Sequence, residues 1–148
     1  MAYRPHIADA TTILSGEEII GLMPVSFVFI TKLIGIPQAL NMIDAYGGTE
    51  LFIPNKHALG INHEIAHIIG LSKLQLLATQ LGNTYIEIPM GTPITIAMRN
   101  RMIRENVKKE SKSQLARRYN LTKRQIRTIV NREEKLKIRV DQNLDLFE

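Results

Sequence analysis

Apolar residues recur three and four positions apart along most of this chain, and two short runs alternate instead, so helices joined by brief strands are the architecture the pattern predicts. The run Phe27 to Ile34 ends at Gly35, where a left-handed helix cap is expected, and Pro37 then stands in the first turn of a helix over 37–46. Gly47-Gly48 closes that helix, and residues 50–53 read as a strand stopped by Pro54. Upstream, Ser15 and Glu18 form a capping-box signature that starts a helix over about 16–23. The first dozen residues show no clear periodicity and read as a loose arm.

The same series returns 35 residues later. Segment 30–54 aligns with 65–89, with identities at Ile30/Ile65, Ile34/Ile69, Gly35/Gly70, Gly47/Gly82, Thr49/Thr84, Ile53/Ile88 and Pro54/Pro89. The second unit carries its strand at 84–88, and Gly82-Asn83 stands where the first has Gly47-Gly48. Strands this short are unstable alone, so they are expected to pair with each other or with a second chain. A helix-rich body with few charges and orphan strands reads as a dimerisation domain, a monomeric core being the plainer alternative.

Beyond Pro89 the pattern changes. Thr92 and Pro93 open a helix over about 93–107, with Ile94, Met98 and Met102 on its core face and Arg99, Arg101 and Arg104 at its sides or solvated. Within 112–131, Ala116 offers the small residue at which two helices can cross, and Asn120 a turn residue that tolerates positive φ. Leu115, Tyr119, Leu121, Ile126 and Ile129 fall at the apolar positions of a helix-turn-helix, and Thr122 caps its second helix.

Charge sharpens this division. The chain of 148 residues has a formal net charge of +5, split into −3 over residues 1–98, +11 over 99–140 and −3 over 141–148. A basic block on a slightly acidic body points to a polyanion, nucleic acid before membrane surface. Lys112, Arg117, Arg118, Thr122, Lys123, Arg124, Gln125, Arg127, Thr128 and Arg132 are the candidate DNA contacts. Arg124, Gln125 and Thr128 are assigned to bases, because early positions of a recognition helix enter the major groove and Arg and Gln make bidentate base contacts. Lys112, Arg118, Arg127 and Arg132 are assigned to phosphates. Residues 133–139 can extend the last helix, and the acidic end reads as a solubilising tail or a docking segment.

Composition closes several other routes. There is no cysteine, which removes disulfides, thiolate zinc sites and cysteine nucleophiles and fits a cytoplasmic protein. No signal peptide or spanning segment is expected. His63-Glu64-Ile65-Ala66-His67 spells the helical zinc motif, but the repeat puts Val28, Phe29 and Lys32 in the equivalent positions, and no third ligand follows at a customary spacing. Two polar residues on the exposed side of a helix, with Ile61, Ile65, Ile68 and Ile69 on its apolar side, are the preferred account. No cofactor, metal or catalytic residue is expected.

The constellation resembles a known family, the Mor/C (middle operon regulator) transcription activators of Mu-like bacteriophages. The likeness rests on three elements: the glycine turn and strand Gly82 to Pro89, the arginine-bearing helix Met98 to Glu105, and the block Gln114 to Ile126 with Leu115-Ala116-Arg117-Arg118-Tyr119 at its centre. The resemblance implies a homodimer held by the N-terminal domain, two helix-turn-helix units on a dyad site, and activation through host RNA polymerase at a phage or mobile-element promoter. The resulting expectation is a mainly α fold with short strands: a dimerisation domain over 1–89, a DNA-binding domain over 90–140 and a tail over 141–148. The expected function is a dimeric, sequence-specific transcription regulator acting on double-stranded DNA. An accessory factor for recombination or packaging is the alternative, and a zinc hydrolase the remote one.

Overall fold

The structure, a computed structural model, describes residues 5–132, so the proposed extension over 133–139 and the acidic tail lie outside the described residues. The described chain is mainly helical with one small sheet. Its packing divides into two compact units, one of His6–Ile96 and one beginning at Ala97.

In the first unit α1 (Ala10–Ile13) and α2 (Gly16–Gly21) precede two helix-helix-strand segments. The first consists of α3 (Val25–Ile34), α4 (Ile36–Tyr46) and β1 (Glu50–Ile53). The second consists of α5 (Glu64–Ile69), α6 (Leu71–Leu81) and β2 (Thr84–Glu87). Both halves of the Ser15–Glu18 capping box are formed, at 3.2 Å each. The loose arm expected at the N-terminus is corrected over its described part: a 3-10 turn (Ile7–Asp9) and α1 bury Ile7, Ala10 and Leu14, and the turn packs on α4. Those three apolar residues at i, i+3 and i+7 make one helical stripe, too short to stand out from the polar residues around it.

Each helix pair turns on one glycine. Gly35 closes α3 and opens α4 at φ 93°, ψ 155°, and Gly70 does the same between α5 and α6 at φ 89°, ψ 150°. The expected left-handed helical cap at Gly35 is therefore corrected to the positive-φ extended region, which lets two helices abut with no linker and which side-chain-bearing residues avoid. Gly35→Ala and Gly70→Ala should each lower stability by about 1–3 kcal/mol, read as a reduced urea midpoint at unchanged slope. Asn83, where the first segment has Gly48, takes the same hand: φ is 63° at Asn83 and 82° at Gly48. Asparagine is the side chain that tolerates this best.

The two strands pair with each other, antiparallel, with Glu50 opposite Glu87, Leu51 opposite Ile86, Phe52 opposite Tyr85 and Ile53 opposite Thr84. The Phe52 and Tyr85 rings lie 5.1 Å apart on the ribbon's exposed face. Helix α3 packs on α6 and α4 on α5, so each segment's helices meet those of the other. The core between them holds Ile30, Ile34, Ala39, Met42, Ile43 and Ile53 with Ile65, Ile69, Leu74, Leu77, Ala78 and Ile88, all buried.

The zinc-motif segment differs from the expected helical arrangement. His63 is the N-cap of α5, where its Nδ1 accepts the Ile65 N–H at 3.2 Å, and Ile61 is 70% exposed ahead of the helix rather than part of its apolar side. Among the described residues no group of three or more His, Cys, Asp or Glu is arranged to hold a metal ion.

Helix α7 (Thr92–Asn106) runs across the division between the units at Ile96 and Ala97. On it Ile94, Met98 and Ile103 are buried. Ile103 takes the place in the core that was expected for Met102, which is only half-buried.

Candidate nucleic-acid interface

In the second unit, α8 (Lys112–Tyr119) and a further helix, α9, over residues 123–132 follow the C-terminal part of α7. Local chemistry sets both starts. Ser111 and Gln114 form a capping box at α8, the Ser111 hydroxyl accepting from Gln114 N–H at 3.2 Å and the Gln114 carbonyl from Ser111 N–H at 2.9 Å. Thr122 and Gln125 repeat this at α9, at 3.1 and 2.8 Å. Two such boxes eleven residues apart fix both helix starts against fraying, each contributing about 0.5–2 kcal/mol.

Between them the chain reverses at Asn120, in the left-handed conformation with φ 56° and ψ 48°. Leu121 N–H then donates to the Ala116 carbonyl at 2.8 Å, six residues closing on one as in a Schellman turn. The turn brings the two helices into contact through a shared apolar cluster. Ile103, Leu115, Ala116, Tyr119 and Ile126 form their buried core, with Met102, Val107, Leu121, Ile129 and Val130 around it. Arg104 ties α7 to α9 by donating from Nε to the Ile129 carbonyl at 3.2 Å, across 25 positions of sequence. This arginine is a structural tie. Arg99 donates to Asn100 Oδ1 through Nε at 3.1 Å and Nη2 at 2.9 Å, and burial pulls its guanidinium below its ordinary pKa.

Turning Ile126 inward turns the opposite face of α9 outward. Lys123, Arg124, Gln125, Arg127, Thr128, Asn131 and Arg132 are all exposed, as are Arg117, Arg118 and Thr122; Lys112 is half-buried. With 3.6 residues per turn, Arg124, Thr128 and Asn131 fall on one line opposite Ile126, flanked by Arg127 on one side and Arg132 and Gln125 on the other. Asn131 was missed as a candidate contact, although its spacing of seven from Arg124 and three from Thr128 was readable once the buried position was fixed.

Four candidates, Gln125, Thr122, Arg118 and Thr128, are already engaged within the fold. Gln125 spends its side-chain carbonyl on the Thr122 N–H, so a bidentate contact to adenine, which needs that oxygen, would require opening the cap. Arg118 pairs with Glu110 at 2.8 Å and lies with its guanidinium 5.6 Å from the Tyr119 ring centroid. Thr128 donates its hydroxyl to the Arg124 carbonyl at 3.0 Å, leaving its methyl group and oxygen on the exposed face. No helix of the described residues is long and apolar enough to cross a membrane.

The model of the Mor transcription activator family matches residues 55–144, which is more than half of the chain and takes in α5 to α9. No curated protein and no solved structure matches significantly.

Proposed function

The chain belongs to the Mor transcription activator family, and from that premise we propose that it is a sequence-specific regulator which binds double-stranded DNA by laying the exposed face of α9 in the major groove. The observation that carries the reading is the line of Arg124, Thr128 and Asn131 on a helix whose opposite side is locked into a buried core. A base-reading helix must be rigid behind and polar in front, and these three side chains offer a bidentate guanine contact, a methyl and hydroxyl, and a bidentate adenine contact. Gln125 and Thr122 are better employed as the cap that holds the start of this helix. Lys112, Arg117, Lys123, Arg127 and Arg132 supply phosphate contacts around it. In the cell the same geometry acts at a promoter, where the bound protein activates through RNA polymerase.

Salt titration tests the electrostatic part. If four or five of these side chains neutralise phosphates, log affinity should fall with log salt with a slope of about −3.6 to −4.5. A slope near zero would contradict it.

Arg118 gives a second test. Its pairing with Glu110 competes with a phosphate for the same guanidinium. Glu110→Gln removes the competitor and one repulsive charge, so the variant should bind every duplex more tightly, by about two- to five-fold at low salt, with its sequence preference unchanged. Binding that weakens would mean the pair positions Arg118 for contact and that Glu110 is part of the working site. An accessory role in recombination or packaging would use the same face; a promoter-proximal position for the enriched genomic site separates activation from it.

A further inference from the structure

The two halves of the N-terminal body are related by a two-fold exchange that reaches individual hydrogen bonds. Adding 35 to a residue of the first segment and subtracting 35 from one of the second turns the principal backbone contacts into others that are present. Gly48 N–H donates to the Ile88 carbonyl at 2.8 Å, and its counterpart, Asn83 N–H to the Ile53 carbonyl, is also 2.8 Å. The pair Phe52 and Tyr85 exchanges with Glu87 and Glu50, and Leu51 with Ile86 maps onto itself, so the axis passes through that pair. Contacts of α3 with α6 become contacts of α5 with α4. The glycines that end α4 and α6 follow the same rule, for a Cβ on Gly47 would meet the Ile43 carbonyl at 2.5 Å and the Pro89 carbonyl at 3.2 Å, and one on Gly82 the Ala78 carbonyl at 2.5 Å and the Pro54 carbonyl at 3.4 Å.

This is the signature of an isologous interface, in which one surface pairs with a copy of itself, as two subunits of a symmetric dimer do. Here both copies lie in one chain, separated by residues 55–64. The family match begins at residue 55, so it takes in the second copy with the DNA-binding unit and leaves the first copy outside. A connection of about ten residues holds its ends at an effective concentration in the millimolar range, against which a second chain at micromolar concentration competes at a disadvantage of about a thousand-fold.

We propose that segments 30–54 and 65–89 build within a single chain the two-fold body that a dimer would assemble from two, so that each molecule carries one α8–α9 unit and recognises a single, non-palindromic DNA site. The DNA half of this statement rests on the function proposed above. The first copy is followed only by the short connection, whereas the second leads into α7, α8 and α9, so the body is symmetric and the reading apparatus is not. Of the two partners expected for the short strands, each other or a second chain, the structure has them pair with each other.

Selection of bound sequences from a random duplex pool with the full chain, followed by the mass of the complex, tests this. The expected result is one asymmetric sequence element and one 16.8 kDa chain per duplex. An enriched inverted repeat occupied by two chains would overturn the inference and leave the DNA reading standing. A pool with no enriched sequence would overturn the DNA reading instead. The body is tested separately by the double variant Phe52→Cys with Tyr85→Cys, in a chain that has no other cysteine. Oxidation should close the link within one chain, which migrates as a monomer without reductant; cross-linked dimers as the main product would overturn the intrachain pairing.

Discussion

Ile126→Ala should unfasten the α8–α9 unit while leaving the N-terminal body intact. Ile126 is fully buried among Ile103, Leu115, Ala116 and Tyr119, where α9 meets both α7 and α8. Removing its branched side chain leaves a cavity between three helices, and losses of this kind are about 2–5 kcal/mol. The cluster is small, so that figure is a large share of what holds α9 in place. Hydrogen exchange in the full chain should show the amides of α8 and α9 opening roughly 30- to 4,000-fold more often, with those of α4 and α6 unchanged. DNA affinity should fall with it, for all sequences. Equal acceleration throughout the chain would mean that the division at Ala97 is not a division in stability.

Arg124→Ala should separate recognition from attachment. Arg124 lies on the outward line of α9, one turn before Thr128, and under the proposed function its removal deletes a bidentate guanine contact of about 1–3 kcal/mol without touching the core. The expected outcome is a loss of about 5- to 150-fold against the preferred sequence and a much smaller loss against unrelated DNA, with the unfolding midpoint unchanged. Arg127→Ala, on the flank of the same helix, should weaken both alike and reduce the salt slope by about one. If the two variants behaved identically, the division of α9 into a reading line and phosphate-holding flanks would be wrong.

Much of the fold was legible in the sequence because its signals are local. Ser15 with Glu18 and Asn120 between two apolar patterns each dictate a turn through their own side chain and neighbours, and the short strands followed from residues bracketed by glycine and proline. The places where sequence reasoning fell short depend on what another part of the chain does. His63 could not be placed as a cap rather than a helical residue, because both roles suit the same five letters. Gly35 announced a positive φ, but only the abutting helix sets ψ, and hence the extended rather than the helical left-handed region. Gln125 looked like a base contact because glutamine suits that role; its engagement with Thr122 follows from the same capping rule that identified Ser15 and Glu18, as does the box at Ser111 and Gln114. Asn131 became visible only when burial of Ile126 fixed which side of α9 faces outward.

Whether the Arg124 face of α9 occupies the major groove is tested most directly by dimethyl sulfate protection of guanine N7 on the selected duplex, since N7 is exposed only there. Bound protein should shield a guanine within the site, and Arg124→Ala, at a concentration that restores full occupancy, should return that guanine to its unbound reactivity. Guanines that react equally with and without protein, or a protection that Arg124→Ala leaves unchanged, would contradict that placement.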